Sequence, residues 1–328
     1  MSTSALDPGF HSIVLAAGDG RRMATLTRAL FGRWIPKQFT PLDGGTTLLQ
    51  ETLERTRLWS SPERTQVLVS AELAPLARGQ LSSHRDVQIV SQPDDRGAGP
   101  GLLLPLARVL ATDVNADVVI LPADHKVLRP GMLAYALSCG RRAAAEVPSG
   151  VALVGAVPDV IGLPMRWIMP GARLGEDAYH VRQLLQRPPR EIAERLRSMA
   201  GLLNTSIVVG RAQALWNLCR RHLRRHVEAF ERHASRAAPS AMPVPAALSC
   251  SVTPADFNRS VLAKASGLGV VRMAAGAGWS DWGEPETVLA EMRDRPGFNR
   301  LFARLMAAAD PLEQQRWNHL GGHLAPGR

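Results

Sequence analysis

Lysine is nearly absent from this sequence. It occurs only as Lys37, Lys126 and Lys264, so 36 of the 39 basic residues are arginine. In such a chain a retained lysine hints at a position that needs a compact ammonium rather than a planar fork. Cysteine is scarce as well. Cys139, Cys219 and Cys250 lie far apart. Their odd number and lack of ligand spacing argue against a disulfide framework or a cysteine metal site and suit reduced thiols. Aromatic residues make up 5% of the chain, and the basic run Arg220–Arg225 carries none. A stacking platform for nucleic acid is therefore not expected, and that run reads as a solvated helix face. No apolar run approaches the ~18 residues of a membrane span. The first ten residues, MSTSALDPGF, show neither the charged start nor the apolar stretch of a signal peptide. The expectation is a cytoplasmic protein with no membrane or nucleic-acid partner, and a homo-oligomer is compatible with the sequence.

What is present fits a substantial core. The chain has 328 residues, 45% of them apolar, enough for one large α/β domain with an appended piece, or for two domains. Net charge is +10, which a cleft for a small polyanionic substrate would explain. Strands are predicted at 11–18, 65–71, 86–91, 117–122, 151–157, 180–185, 202–209 and 269–273. Helices are predicted at 45–58 after a threonine cap, 102–111, 190–199, 211–233 and 255–265, and through most of 284–328. The stretch 234–254 reads as a loop, and 158–171 is too rich in Pro and Gly to assign. Strands alternating with helices point to a doubly wound, mostly parallel sheet.

The chain is organised around Ile13 to Phe39. The buried run Ile13-Val14-Leu15-Ala16-Ala17 breaks at Gly18-Asp19-Gly20, and Arg21, Arg22 and, after Pro36, Lys37 follow. Glycines let backbone N–H groups approach phosphate oxygens, and the cations neutralise charge. Asp124 ends a nearly continuous apolar strand, and Asp281 sits in a glycine-rich loop after another. Each Asp alone is an ordinary turn residue. In open sheets, however, ligands bind beyond the strands' C-terminal ends, and Mg²⁺ takes one or two carboxylates plus phosphate oxygens.

The chain resembles the sugar-1-phosphate nucleotidyltransferases, and most closely the mannose-1-phosphate guanylyltransferase branch. The matching residues are Gly18-Asp19-Gly20-Arg21-Arg22-Met23, Pro36-Lys37-Gln38-Phe39, Thr47 to Arg55, Leu121-Pro122-Ala123-Asp124-His125 and Gly278-Trp279-Ser280-Asp281-Trp282-Gly283. The resemblance implies a Rossmann-like, GT-A-like fold, with a nucleotidyltransferase domain over 11–286 and a helical C-terminal extension and tail over 287–328. It implies an enzyme that joins GTP and mannose 1-phosphate, or close counterparts, with Mg²⁺ as cofactor. Arg22, Lys37 and Asp124 would be catalytic, and Asp124 and Asp281 would hold the metal. Ala16, Ala17, Gly18, Gly20, Gln92, Arg96 and Gly97 would bind the nucleotide. Asn204, in Asn204-Thr205-Ser206-Ile207, would contact the sugar, and Arg187, in Gln186-Arg187-Pro188, its phosphate.

The chain departs from the family pattern mainly in the sugar half. The family's Glu-Lys is Gln186-Arg187, and its sugar loop is not recognisable in Pro158 to Gly171. A five-residue segment, roughly Ala29 to Arg33, looks inserted before Pro36, Arg21 replaces a threonine, and Gly97-Ala98 replaces Asn-Thr. A catalytically degenerate sugar-nucleotide-binding homologue is the alternative reading. A Rossmann oxidoreductase would need a glycine where Met23 stands. His125, Trp279 and Trp282 read as packing residues.

Overall fold

The structure, a computed structural model, describes residues 9–42, 45–93, 97–158, 165–234, 253–293 and 297–318. The strands are β1 (His11–Leu15), β2 (Thr65–Ser70), β3 (Gln88–Gln92), β4 (Asp117–Pro122), β5 (His125–Val127), β6 (Val151–Ala156), β7 (Trp167–Gly175), β8 (Ala178–Leu185), β9 (Leu202–Arg211), β10 (Gly269–Met273) and β11 (Trp279–Asp281). The helices used below are α1 (Ala24–Phe31), α2 (Leu48–Thr56), α3 (Ala74–Gln80), α4 (Ala98–Gly101), α5 (Leu103–Thr112), α6 (Pro130–Glu146), α7 (Arg190–Ser198), α8 (Ala212–His222), α9 (Arg224–Ala234), α10 (Phe257–Ser260), α11 (Pro285–Met292), α12 (Phe298–Ala308) and α13 (Pro311–Trp317).

Alternation along the strands fixes the layers. Val14, Val119 and Leu121 face one apolar cluster, while Ile13, Val118 and Ile120 face the other. Successive strand side chains point to opposite faces, so a strand apolar throughout must be covered on both sides. Leu53 of α2, Ala77 of α3, Leu137 of α6 and Leu196 of α7 cover the first face. Leu106 of α5, Leu215 of α8 and Phe230 of α9 cover the second. The result is a three-layer α/β/α unit.

The sheet itself corrects the sequence expectation. Its nine strands run in the order β3-β2-β1-β4-β9-β6-β10-β8-β7. The β3-β2-β1-β4 half and the β6–β10 pair are parallel. However, β9 pairs antiparallel with both β4 and β6, and β8 pairs antiparallel with β10 and β7. The sheet is therefore mixed rather than mostly parallel. An antiparallel strand buried on both faces is as uniformly apolar as a parallel one, so the apolar runs of β6 and β9 could not reveal direction.

Other differences have local causes. The long helix expected over 211–233 is two helices that turn at Leu223, letting Leu223, Val227 and Phe230 reach one core. No Gly or Pro marks that turn. The helix expected over 255–265 shrinks to the single turn α10 and a 3₁₀ turn at Leu262–Lys264. Most of the 234–254 loop and Cys250 lie outside the described residues. The 17-residue α6 has no counterpart in the sequence reading. Its buried face holds two large residues, Leu133 and Leu137, and is otherwise small, with Ala134, Ala136, Gly140, Ala143 and Ala144. A side chain on Gly140 would sit 3.2 Å from Val209, so the helix lies close on the sheet, and beyond Leu137 no large residue continues the stripe that would announce it.

Helix α2 begins with a capping box, as its threonine suggests: the Thr47 hydroxyl accepts from the Gln50 amide and Gln50 accepts from Thr47 N–H. The segment before Pro36 extends α1, which ends at Gly32 in the left-handed region (φ 72°). A third apolar cluster joins α1 (Leu26, Ala29) to Trp282, Val288 of α11, Phe302 and Leu305 of α12, and Trp317 of α13. The C-terminal helices thus pack on the helix that directly follows the glycine turn. Leu26 and Leu305 are both fully buried there. Leu26→Ala should lower unfolding free energy by about 2–5 kcal/mol, read from urea denaturation. A loss under about 1 kcal/mol would mean that this cluster collapses around the hole.

Candidate active site

The glycine turn is held from below by one side chain. The Gln38 amide Nε2 donates to the carbonyls of Ala16 (2.8 Å) and Gly18 (2.7 Å). Gln38 is buried, so this clamp is dry and links the Pro36–Phe39 segment to the end of β1. Gly20 takes the left-handed conformation (φ 64°), and a Cβ there would lie 3.1 Å from Lys37 N. Glycine is required on both counts. Asp19 pairs with Arg21 at the exposed tip (2.6 Å).

The two aspartates are brought together by β5 and β11. Ala123 N–H donates to the Leu15 carbonyl (3.0 Å), which continues the β1–β4 pairing up to Asp124. The next residues form β5, which pairs antiparallel with β11 so that His125 lies opposite Asp281. Both carboxylates then face Lys37 Nζ, Asp124 at 2.8 Å and Asp281 at 3.6 Å. Lys37 is 5% exposed. Burial alone would lower its pKa, but the two carboxylates outweigh it and raise it. For Asp124, burial would raise the pKa, yet the Lys37 ammonium and His125 pull it down to about 2. A depressed carboxyl contributes stability above its ordinary value of 3.8 and loses it as pH falls toward about 2.

His125 completes the floor. Its Nδ1 accepts from the Trp279 indole N–H (3.2 Å). A neutral ring then carries its proton on Nε2, which lies 3.8 Å from Asp124 and 3.9 Å from Asp281. Burial lowers the His125 pKa, against the pull of both aspartates. Beneath it, Arg55 donates to the His125 carbonyl (2.9 Å) and to Thr52 (2.6 Å). Lys126 pairs with Glu51 (2.7 Å) and lies over the Trp282 ring. Trp282 itself is fully buried, as a packing role requires.

A cleft opens beside this cluster. Arg22, Arg166, Arg187, Asn204, Asp281 and Glu284 line it, with Met165 and Gly283. Thus Arg22, Arg187 with Asn204, and Asp281, drawn from three distant parts of the sequence, meet at one opening. Arg22 pairs with Glu284. Asn204 Oδ1 accepts from Ser206 N–H (2.8 Å), and its Nδ2 donates to Asn258 (3.3 Å). Arg187 stands in the left-handed region (φ 45°) at the turn after β8.

The nucleotide-loop residues occupy the same end of the sheet, two strands away. Gln92 ends β3, is buried, and stands beside Ser70 of β2 in register. Gly97 has φ 82°, and a Cβ there would lie 2.6 Å from the Ala255 carbonyl. Arg96 lies outside the described residues. Ala16, Ala17 and Gly18 lie at the end of β1, as expected.

Sequence reasoning did not anticipate Gln38 as the clamp, nor Glu284 and Arg166 in the cleft. Gln38 lies within the Pro36–Phe39 motif, and Glu284 directly follows Gly283, so both adjoin residues that the sequence pattern marks. Arg166 fell in a stretch with no readable pattern.

The sequence profile of the MobA-like NTP transferase domain matches residues 12–242. The chain belongs to that family. Among curated relatives, mannose-1-phosphate guanylyltransferase RfbM of Salmonella typhimurium is 28% identical over 195 residues, covering 56% of this chain and 38% of the relative. Alginate biosynthesis protein AlgA of Pseudomonas fluorescens is 25% identical over 213 residues, covering 64% and 43%. The match therefore spans less than half of either relative's own length. A solved structure titled mannose-1-phosphate geranyltransferase, from Thermus thermophilus, superposes with a TM-score of 0.74 at 26% identity, over 92% of this chain and 80% of that one. Inositol-1-phosphate CTP transferase of T. maritima shares the fold alone (TM-score 0.52, 13% identity, 92% and 98% covered).

The ion cluster yields a direct expectation. In metal-free protein, Lys37→Met should move the Asp124 titration midpoint upward, since burial raises it and the ammonium is the largest charge opposing that. A carbon-13 NMR titration of the carboxyl resonances reads this. An unchanged midpoint would separate Lys37 from Asp124 in solution.

Proposed function

We propose that the protein transfers a nucleotidyl group from a nucleoside triphosphate to a sugar 1-phosphate, giving a nucleotide sugar and pyrophosphate. The observation that carries the reading is the meeting of the glycine turn, the Lys37–Asp124–Asp281 cluster and the Arg187–Asn204 cleft at one end of the sheet. GTP and mannose 1-phosphate are the first substrates to try, because the curated relatives are named for that pairing.

A phosphate oxygen of the sugar 1-phosphate attacks the α-phosphorus. The bond from that phosphorus to the bridging β-oxygen breaks, and the electron pair leaves with pyrophosphate. Such transfers need in-line positioning and charge neutralisation more than covalent help. Arg22 stands at the edge of the glycine turn, half exposed, and its pair with Glu284 can yield to a phosphate. Lys37 offers an ammonium whose three donors can be shared between the carboxylates and a phosphate oxygen. Gln38 keeps the turn in shape, and Arg187 is available to the sugar phosphate.

The residues fit a divalent metal. Asp124 and Asp281 turn hard oxygen donors toward one point, and no group of three or more His, Cys, Asp and Glu suited to a metal occurs among the described residues. Two carboxylates, with the balance from water and substrate phosphates, is the ligand set that Mg²⁺ takes. When bound, the ion would neutralise charge on the phosphates. The inward-facing Lys37 already neutralises part of the carboxylate charge.

Pyrophosphate release, measured over a panel of triphosphates and sugar 1-phosphates with and without Mg²⁺, tests the proposal. Turnover should require the metal and should fall by about two orders of magnitude or more in Asp124→Ala and Asp281→Ala. Near-normal rates in both variants would remove these carboxylates from the metal site. Lys37→Arg should be impaired too, because a buried 2.8 Å contact leaves no room for a longer planar group. Full activity in that variant would refute the need for a compact ammonium there.

A further inference from the structure

The acceptor cleft holds more positive charge than one paired substrate phosphate accounts for. Three arginines and two carboxylates line it. Arg22 is paired with Glu284, and Asp281 faces Lys37. Neither Arg166 nor Arg187 has a carboxylate partner among the described residues. Arg166 is half-buried, and a half-buried cation normally finds one; Arg187 is exposed and adds its charge at the rim of the same cleft, so the opening suits anionic cargo.

The two arginines reach the cleft from one end of the β7–β8 hairpin. Trp167 pairs with Leu185, so Arg166, just before β7, and Arg187, just after β8, flank the same opening. Their settings differ. Arg187 stands on a strained turn with no side-chain hydrogen bond among the described residues. Arg166 is tied to the sugar-side polar cluster. Its Nη1 donates to Ser206 Oγ (3.0 Å), which also accepts from Asn258 (3.2 Å). Its carbonyl accepts from Asn204 N–H (2.8 Å). One donor is thus spent on a neutral hydroxyl, which orients the guanidinium and leaves four N–H donors for a ligand.

Resting on the nucleotidyltransferase reading above, we propose that Arg166 is a specificity-determining residue and that the acceptor is an acidic sugar 1-phosphate. Arg187 meets the 1-phosphate, and Arg166 meets a carboxylate or second phosphate elsewhere on the sugar. A planar fork suits either anion, because it can grip two oxygens at once. An acidic counterpart of mannose 1-phosphate would then be preferred over mannose 1-phosphate itself. The rival arrangement places both arginines on a single phosphate.

Calorimetric titration of the full-length protein separates the two, using mannose 1-phosphate, glucuronic acid 1-phosphate and glucose 1,6-bisphosphate as probes. The doubly anionic probes should bind about tenfold more tightly or better. Arg166→Gln should bring that ratio close to one, and Arg166→Lys should restore part of it. Arg187→Ala should weaken all three probes and keep the ratio. Equal affinities in the unaltered protein, no binding of any probe, or a ratio unmoved by Arg166→Gln would each overturn the proposal. Thermal melting of each variant identifies a folding defect, and the lysine variant then carries the test. Pyrophosphate release with each probe separates the two proposals: an affinity ratio without turnover sinks nucleotidyl transfer and leaves the acidic-ligand site standing.

Discussion

Two carboxylates far apart in the sequence face one buried ammonium, and the geometry of the site depends on that arrangement. Asp124 follows the central strand β4, and Asp281 lies far along the chain in β11, yet both come within 3.6 Å of Lys37 Nζ. Without the ammonium, two like charges would repel each other in a half-buried corner. With it, the trio carries a net charge of −1. That residual charge favours a further cation, while a triphosphate, the substrate proposed above, would in turn need positive charge. The cluster is therefore poised between two states of ligation rather than satisfied in one.

The precision of this arrangement comes from elements that carry no chemistry. Arg55 is buried yet still cationic near neutral pH, its pKa lowered by burial to about 10. It holds the His125 carbonyl and so fixes the start of β5. Trp279 fixes the His125 ring from the facing strand. Gln38 joins the turn before Lys37 to the turn after β1. The C-terminal helices reach the same end of the sheet through α1 and Trp282. A helix that packs against the glycine turn's successor restrains the turn itself, which gives the C-terminal helices a mechanical stake in the site.

The contrast between what the sequence disclosed and what it hid has a physical basis. The end of β1, Asp124 at the end of β4 and Asp281 after Gly278 were legible because glycine turns and abrupt ends of apolar runs are local events. Strand direction was not local. β9 runs antiparallel between β4 and β6, and nothing in its buried alternation distinguishes that from parallel pairing. Helix α6 was hidden by its mostly small buried face, and the α8–α9 turn by the absence of Gly or Pro. Lys37 could be singled out because the chain otherwise uses arginine. Lys126 shares that rarity, and its pairing with Glu51 shows that composition marks candidates without assigning roles.

The division of charge across the site leads to a sharper view of how such a chain diverges. At one end the Lys37 trio is net negative. At the other, Arg166 and Arg187 are net positive by two. The first set is constrained by β5 and β11 pairing, by the Gln38 clamp and by burial, so any change there disturbs several contacts at once. The second set hangs on the open end of one hairpin, on Asn204, Ser206 and Asn258, and on a turn already strained at Arg187. Substitutions at that end alter what the cleft attracts without touching the trio. Under the proposed function, a fold built this way could change its acceptor while keeping its triphosphate chemistry, in keeping with the retained and altered motifs of the sequence.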